Sequence, residues 1–492
     1  MRSAAGAAGL SDLLIGGSWT AGGGAPFSSV DPCTGQEAWS GRAASPGDVD
    51  RAVAAARAAF AGWPRRPASE REALLRAFAS RLDEDGSEIA RWISLEVGKP
   101  QWEARAEVGL MSAKVGISVE AQELRAAELV TGPAVTRFRP HGVVAVFGPF
   151  NYPGHLPNGH IVPALLAGNT VVFKPSELAP GVARATGEAW CAAGLPPGVL
   201  NIVQGARPTG EALAGHAGID GLFLTGSART GLALHRQLAG RPQTILALEM
   251  GGNNPLVVHD VSDLHAAAYV TIQSAYLTAG QRCSCARRLI VVRGGHGEAF
   301  LSTLVEMMAD IRVGCPDDEP EAFMGPVVTA GVATSLLETQ DDLVARGAVT
   351  LVAMRHLKAG TGLLSPGLID VTGVPDRPDE EIFGPLLQVV RVPDIDSAIE
   401  EATRTAFGLA AGLLSDDPAI YQRFREGVRA GVVNWNVQLT GASSRAPFGG
   451  VGLSGNHHPS AYFAADYCAF PVASMETETV AIPERVPPGL EL

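Results

Sequence analysis

The sequence predicts an α/β protein with two doubly wound domains, each built on a mostly parallel sheet. From Gly142 onward, short continuous apolar segments alternate with longer segments of helical spacing. Continuous apolar strands are typical of parallel sheets that helices cover on both faces. The alternation restarts near Asn254, which indicates a second domain of the same kind. At 492 residues the chain is also too long for one ordinary core, so several domains are expected.

The N-terminal region predicts short strands followed by helices. From Leu13 to about Gly41, apolar runs alternate with Gly, Ser and Pro, as in small strands at the edge of a sheet. The run Ser-Pro-Gly-Asp at 45–48 predicts a helix start, because a Ser followed three residues later by an acidic residue caps helices well. The helical segments expected in this region are 49–63, 69–97 and 108–129.

The rest of the chain supplies the two sheets. The first is expected from strands at 143–147, 171–173, 199–203, 222–224 and 245–248, with helices at 156–166, 182–193 and 230–238. The second is expected from strands at 256–258, 289–292 and 386–390, with helices at 264–277, 298–311 and 395–403. Sheets of this kind bind ligands at the carboxyl ends of their strands. The aromatic, apolar tail after Ser454 predicts a strand that pairs outside its own domain.

Charge and composition exclude several classes of function. With 38 Lys and Arg against 51 Asp and Glu, the formal charge is −13, which disfavours nucleic acids and anionic membranes as partners. No apolar run reaches the roughly 18 residues that a membrane span needs. Asp12 interrupts the Ala- and Gly-rich start, so a signal peptide is not expected. Six scattered cysteines do not indicate a disulfide scaffold, and a cytoplasmic location fits best.

Cys283 is the first candidate nucleophile. It follows a helical segment and the small residues Ala279 and Gly280, and it precedes an apolar strand. A thiol at such a bend is held by backbone on both sides and can be approached closely. Two other interpretations stay open: an ordinary buried thiol, and one half of a Cys-x-Cys metal pair with Cys285. Since no second Cys pair or nearby His cluster completes a tetrahedral set, no metal site is expected.

Two further side chains could act on a carbonyl substrate. Glu249 lies at a strand end against two glycines, where a carboxylate can act as a general base if the fold brings it near the thiol. The alternative is a surface loop. Asn151 lies on a turn between Pro149 and Pro153, and an amide fixed in this way can donate to a developing oxyanion.

Two strand ends could bind a nucleotide. Gly226 and Ser227 follow a strand and begin a helix, so backbone N–H groups and the positive helix end could hold a pyrophosphate. An ordinary helix cap would look the same. Lys174 and Glu177 follow another strand and could hold the two hydroxyls of a ribose, although a solvated ion pair is the alternative.

In chain order these motifs resemble those of the aldehyde dehydrogenase superfamily over nearly the whole length. The superfamily motifs are Phe-Lys-Pro-Ser-Glu at 173–177, Thr-Gly-Ser at 225–227, Glu-Met-Gly-Gly-Asn at 249–253, Gly-Gln-Arg-Cys at 280–283 and Glu-Ile-Phe-Gly-Pro at 381–385. The segments 153–160, 283–288, 433–436 and 455–462 are similar to the succinylglutamate semialdehyde dehydrogenases of arginine catabolism.

The resemblance implies a role for each matching residue. Cys283 would be the nucleophile, Glu249 the base, and Asn151 with the Cys283 backbone N–H the oxyanion hole. NAD would be held by Lys174, Glu177, Gly226, Ser227, Glu381 and Phe383.

The resemblance also implies an architecture. An NAD-binding domain would comprise 1–118 and 141–251, and a catalytic domain 252–453. An arm at 119–140 with the tail 454–492 would join homodimers or dimers of dimers.

Three positions depart from the pattern. Phe150 stands where the superfamily often has Trp. The run His457-His458-Pro459 stands where many members carry a Glu, which removes a proton relay through that carboxylate. Arg445 is unusual within the subfamily, so the chemistry is better fixed than the substrate.

The predicted reaction is NAD-dependent oxidation of an anionic semialdehyde, with N-succinyl-L-glutamate 5-semialdehyde as the leading candidate. The aldehyde would form a thiohemiacetal and then a thioester on Cys283, which water would hydrolyse. Arg282, Arg445 and His457 are the candidate cations for the substrate carboxylates, although Arg282 could instead pair with a structural carboxylate. The alternatives are another semialdehyde, acyl transfer to coenzyme A, or a catalytically inactive binding protein of the same fold. Glu249 favours water over a thiol as acyl acceptor.

Overall fold

The computed structural model describes residues 12–490. The prediction that no signal peptide is present concerns residues 1–11, which lie outside the described range, as do the last two residues of the predicted tail. Within the described range, no helix combines the length and the apolar character needed to cross a membrane.

The N-terminal region forms small strands followed by helices, as expected, although it has four α-helices where three were predicted. Its elements are β1 (Leu13–Ile15), β2 (Ser18–Thr20), β3 (Pro26–Val30), β4 (Glu37–Arg42), α1 (Pro46–Phe60), α2 (Ala68–Asp85), α3 (Ser87–Val97), α4 (Gln101–Arg125), β5 (Leu129–Thr131) and β6 (Ala134–Pro140).

Two helix boundaries in this region are decided by single residues. Ser45 caps α1 by the predicted reciprocal bonds with Asp48. The segment expected as one helix over 69–97 is two helices, so that prediction is wrong at Gly86. A Cβ atom there would lie 2.3 Å from the Leu82 carbonyl oxygen and 2.5 Å from a Val108 methyl group on α4. Only glycine lets the chain turn so close to α4.

The first sheet has the predicted strands and helices. Its elements are β7 (Val143–Phe147), α5 (His155–Ala167), β8 (Thr170–Lys174), α6 (Pro180–Ala192), β9 (Leu200–Ile202), α7 (Arg207–Gly215), β10 (Gly221–Gly226), α8 (Ala228–Leu238) and β11 (Ile245–Met250). The strand order is β11-β10-β7-β8-β9-β1-β2, with β11 to β9 parallel and β1 and β2 added antiparallel at one edge. Leu224 pairs with Phe147, which pairs with Lys174, so three strands end at one edge.

The second sheet contains the expected strands and four more. Its elements are β12 (Asn254–Val258), α9 (Leu264–Tyr276), β13 (Ala286–Val292), α10 (Gly295–Met308), α11 (Ala330–Ala345), β14 (Val349–Val352), β15 (Gly367–Asp370), β16 (Leu386–Val392), α12 (Ile395–Thr403), β17 (Ala410–Leu414), α13 (Pro418–Gly427) and β18 (Val432–Trp435). The order is β14-β15-β16-β13-β12-β17-β18, and all pairs except β14 with β15 are parallel.

The tail returns to the N-terminal half of the chain. It follows β19 (Pro447–Phe448) and contains β20 (Ser460–Ala461), α14 (Ala464–Tyr467) and β21 (Ala469–Met475). Strand β21 pairs antiparallel with β6, which pairs with β5. The strand predicted in the tail is therefore present, and it pairs with a segment that lies far away in the chain. Residues 119–125, predicted as part of the arm, are the last turns of α4. The domain and arm boundaries stay predictions.

One disulfide is present that the sequence did not indicate. It joins Cys33 to Cys315, whose Cα atoms are 5.9 Å apart across a separation of 282 residues. Cys191, Cys283, Cys285 and Cys468 are free. A single bridge is not a disulfide scaffold, but the bridged pair departs from the thiols expected in a reducing cytoplasm.

Candidate active site

The loop that carries Cys283 has an unusual backbone. Helix α9 ends at Tyr276, and Thr278, Ala279 and Gly280 all have positive φ, at 56°, 54° and 70°. A Cβ atom on Gly280 would lie 2.1 Å from the Gly384 carbonyl oxygen. Left-handed residues other than glycine each cost on the order of 1–3 kcal/mol and persist only where surrounding contacts impose them. The predicted order of helix, glycine turn, thiol and strand is confirmed.

Buried side chains hold this loop in place. The Arg287 guanidinium donates to the Gly280 carbonyl and, at 2.8 Å, to the Arg282 carbonyl. The Asn254 amide donates to the carbonyl oxygens of Cys283 and Cys285 at 2.7 and 2.9 Å. The Cys283 thiol therefore has a fixed position.

Cys283 is half-buried and lines a cavity between the first helices and the C-terminal loops. Within the described residues, the lining contains Lys and Arg but neither Asp nor Glu. The lining residues are Leu110, Lys114, Asn151, Tyr152, His155, Leu156, Gly159, Thr225, Arg282, Cys283, Ser284, Thr440, Ala442, Ser443, Ser444, Phe448, Ser460 and Ala461. The wall of the cavity thus carries cationic side chains and no carboxylate among the described residues.

Glu249 lies at the end of β11 and is 2% exposed. Neither of its carboxyl oxygens has a hydrogen-bond partner among the described residues. Burial, and then the nearby Glu381, raise the pKa of Glu249 well above its usual value. The surface-loop alternative is wrong, since this carboxyl group is enclosed.

The carboxyl groups of Glu249 and Glu381 also affect the pKa of the Cys283 thiol. Burial first, and then Glu249 and Glu381, raise the pKa of Cys283 well above its usual value, and Arg287 opposes them. The cation that lowers the pKa of this thiol is Arg287, which comes from β13 behind the loop.

Asn151 is buried and lines the cavity. Its side-chain nitrogen donates to the Gln281 carbonyl oxygen at 2.8 Å. The Gln281 side chain in turn donates to the Thr278 carbonyl at 3.1 Å and accepts from the Val328 N–H at 2.9 Å. Asn151 is therefore tied to the backbone of the thiol loop, and its predicted oxyanion role stays a prediction.

Arg282 lines the cavity but its charge is balanced. One guanidinium nitrogen donates to Glu103 at 2.8 Å and another to the Thr278 hydroxyl at 2.8 Å. The side chain of Glu103 is 2% exposed. The alternative interpretation, pairing with a structural carboxylate, is the arrangement found.

Arg445 and His457 do not line the cavity. The exposed Arg445 pairs with Glu120, one oxygen of which accepts from it at 3.1 Å. His457 is exposed, with φ of 69°. The geometry does not bring these two predicted substrate cations to the thiol.

Four predicted cofactor residues lie at the carboxyl edge of the first sheet. The Lys174 ammonium is 3.6 Å from the Glu177 carboxylate, which is half exposed, and donates to the Pro175 carbonyl at 2.7 Å. Gly226 ends β10, and the hydroxyl of Ser227 accepts from the Thr230 N–H at 3.2 Å to begin α8.

The other two predicted cofactor residues come from the second half of the chain. Glu381 accepts from the Gly252 N–H at 3.2 Å and lies 3.6 Å from Arg287. The ring of Phe383 meets Phe150 edge to face, with centroids 5.9 Å apart. Phe150 stands where the superfamily often has Trp, and its ring packs against Phe383.

Sequence reasoning did not single out Lys114, Tyr152 and His155, which also line the cavity. Lys114 comes from α4, Tyr152 from the turn before α5, and His155 from the start of α5. The only signal for Lys114 was a lone Lys among apolar residues at helical spacing, such as Met111 and Val115. A solvated lysine beside an amphipathic face gives the same pattern.

Comparisons with known proteins agree with this geometry. The aldehyde dehydrogenase family model matches residues 19–470. An N-succinylglutamate 5-semialdehyde dehydrogenase of Pseudomonas fluorescens is 58% identical over 488 residues, which cover 98% of this chain and 100% of that protein. One of the same name from Burkholderia cenocepacia is 56% identical over 485 residues, with 98% and 100% covered.

Solved structures show the same fold. An indole-3-acetaldehyde dehydrogenase of Pseudomonas syringae in complex with NAD+ has a TM-score of 0.89 at 29% identity, with 94% of this chain and 96% of that one covered. An NADP-dependent glyceraldehyde-3-phosphate dehydrogenase of Bacillus halodurans in complex with NADP has a TM-score of 0.88 at 29% identity, with 94% and 98% covered.

Proposed function

This chain belongs to the aldehyde dehydrogenase family, and we propose that it oxidises N-succinyl-L-glutamate 5-semialdehyde to the acid with NAD, as a step of arginine catabolism. The observation that carries the proposal is the 56–58% identity to relatives of that name over nearly the full length of both chains. The cavity supports it, because its lining carries cations and no carboxylate among the described residues. A substrate with two carboxylates needs such a cavity in a chain of net charge −13.

Cys283 attacks the aldehyde carbon as the thiolate. Its raised pKa means that the thiol is protonated at rest, so the proton must leave before attack. Ionised Glu249 and Glu381 disfavour the thiolate, and Arg287 favours it. The thiolate therefore forms more readily while Glu249 is protonated.

Asn151 and the Cys283 backbone N–H stabilise the oxyanion of the resulting thiohemiacetal. A side-chain amide has two N–H donors, and one of those on Asn151 is used by the Gln281 carbonyl. The other is available to the cavity that Asn151 lines. A preorganised donor of this kind typically lowers the activation free energy by about 2.7–4 kcal/mol.

The residues at the carboxyl edge of the first sheet fit NAD. Lys174 and Glu177 present a cation and a half-exposed carboxylate where a ribose diol would bind, and α8 begins at Ser227 with its positive end at the same edge. NAD, when bound, accepts the hydride from the thiohemiacetal carbon. Glu381 and Phe383, which contact Gly252 and Phe150, would complete the site.

Glu249 activates the water that hydrolyses the thioester on Cys283. Its two buried oxygens have no partner among the described residues, so they can accept from a water molecule. Burial, and then Glu381, raise the pKa of Glu249, which makes its carboxylate a stronger base than an exposed one. The ionised Glu249 carboxylate takes a proton from water, the new C–O bond forms, and the C–S bond breaks to release the acid and the Cys283 thiolate.

An assay of NADH formation tests the proposal. The purified protein is supplied with NAD and a panel of aldehydes: the succinylglutamate, glutamate and succinate semialdehydes, and propanal. We expect the highest kcat/KM with the first of them, and no change when coenzyme A is added. A preference for propanal, or a need for coenzyme A, would contradict the assignment.

The three-stranded sheet of β5, β6 and β21 is proposed to join two copies of the chain. Its edge strand β5 leaves Leu129 and Val130 60% and 65% exposed, and Met475 of β21 is also exposed. An apolar, unpaired edge of this kind favours pairing with another strand. Light scattering after gel filtration should give a dimer or a tetramer, and a monomer would refute the assembly.

A further inference from the structure

Lys114 is a buried cation in the wall of the cavity. It lies on α4, its residue is 1% exposed, and it lines the same cavity as Cys283. Its ammonium group donates to the Ala461 carbonyl oxygen at 2.9 Å. An ammonium group has three donors, so two more are available there. Within the ion pairs of residues 12–490, Lys114 has no carboxylate partner.

The two cations of the cavity wall therefore differ. Arg282 is paired with buried Glu103, which cancels most of its charge. Lys114 is not paired, although taking an ammonium ion out of water costs several kcal/mol. The missing counter-ion of Lys114 is therefore expected to come from an anion that binds in the cavity.

The groups around Lys114 do not supply that anion. On α5, burial lowers the pKa of His155 and of His160 to about 3, so both rings are neutral. After α14, burial raises the pKa of Cys468, and that of Tyr467 before it, so neither carries a charge near neutral pH. The positive charge of Lys114 is thus unopposed by the elements packed against it.

We propose that Lys114 binds a carboxylate of the aldehyde substrate, and that this contact makes the enzyme selective for anionic aldehydes. The inference rests on the proposed function for the identity of the substrate. It replaces Arg445 and His457 as substrate cations, since both lie away from the cavity lining. The alternative is a purely structural role, in which Lys114 only holds the loop at Ala461, whose φ is 61°.

Replacing Lys114 separates these two roles. Lys114→Met keeps the length of the side chain and removes its charge, and Lys114→Arg keeps the charge. For Lys114→Met we expect kcat/KM for succinylglutamate semialdehyde to fall about 10- to 100-fold, mainly through KM, because a charge-assisted hydrogen bond is lost. Propanal should change less than about threefold by the same reasoning. Lys114→Arg should recover part of the loss.

The matched control is Lys358→Met, which makes the same chemical change at an exposed position. It should leave both substrates unaffected. If Lys114→Met lowers kcat/KM for both aldehydes equally, or for neither, the proposed contact is wrong.

The native enzyme provides a test that does not depend on folding of a variant. Burial lowers the pKa of Lys114 to about 8, so the ammonium is present below that pH and is lost as the pH rises through it. The ratio of kcat/KM for the dianionic aldehyde to that for propanal should therefore fall above pH 8. Titration of Cys283 and Glu249 affects both substrates and cancels in the ratio.

The outcomes distinguish the two proposals. A native enzyme without preference for the anionic aldehyde overturns the proposed function. A clear preference that is independent of pH and survives Lys114→Met overturns the role of Lys114 and leaves the function standing.

Discussion

Replacing Glu249 by Gln should separate the two halves of the reaction. The amide matches the carboxyl group in shape, and since neither Glu249 oxygen has a partner among the described residues, the fold loses no hydrogen bond there. Removing a general base slows its step about 10²- to 10⁴-fold, which corresponds to about 2.7–5.4 kcal/mol on the barrier. Hydride transfer precedes hydrolysis, so it should be spared. Rapid mixing should show a burst of about one NADH per active site, as expected when acyl-enzyme accumulates, and then slow turnover.

The same variant tests the electrostatics of the thiol. Glu249 is the second cause, after burial, of the raised pKa of Cys283. Removing a negative charge favours the thiolate, so the rate of the burst should reach its midpoint at lower pH than in the native enzyme. A burst that disappears together with turnover would mean that Glu249 acts before hydride transfer, and a midpoint at higher pH would refute the assigned charge effect.

Five further variants test three other assignments. Cys283→Ala should abolish NADH formation but keep NAD binding, which fluorescence titration measures. Cys285→Ser should stay active. The reverse pattern would make Cys285 the nucleophile. Glu177→Gln should lower the ratio of kcat/KM with NAD to kcat/KM with NADP, because the native carboxylate repels the 2′-phosphate of NADP. Equal use of both cofactors by the native enzyme would contradict the assignment of Glu177 to the ribose. Glu103→Gln leaves a buried guanidinium without its anion and should lower the free energy of unfolding in urea by about 3–5 kcal/mol. Glu120→Gln, in the exposed pair with Arg445, should leave the urea midpoint unchanged. Equal destabilisation by the two substitutions would refute the distinction between the buried and the exposed ion pair.

The sequence predicted the first sheet well because its strands are short, apolar and β-branched. Val143–Phe147 is predicted to the residue, and the other four strands differ by one or two residues at their ends. Strand β17, at Ala410–Leu414, was missed because Ala and Gly have low strand propensity. It lies between β12 and β18, where all five of its residues are buried. Edge strand β14 was missed because it is half exposed and pairs antiparallel.

The position of Cys283 could be predicted, but its electrostatics could not. The chemistry-bearing motif is local, since helix, turn, thiol and strand follow one another in the chain. The groups that set its ionisation are not local: Glu249 ends a strand of the other sheet, and Glu381 comes from a loop before β16. The partner of Arg282 is equally distant, since Glu103 lies 179 residues away on α4. Charge pairing across such separations depends on the packed fold, which sequence patterns do not reveal.

The net charge of −13 and an anionic substrate are compatible because the two charges act over different distances. Charges on the surface are screened beyond about 8 Å at physiological ionic strength. Lys114 acts inside a cavity whose described lining holds no carboxylate, where screening is weak and an ion pair is stronger than in water. In the proposal made for Lys114, one buried cation in the cavity of Cys283 therefore selects the substrate. The acidic surface contributes to solubility and does not decide which aldehyde is oxidised.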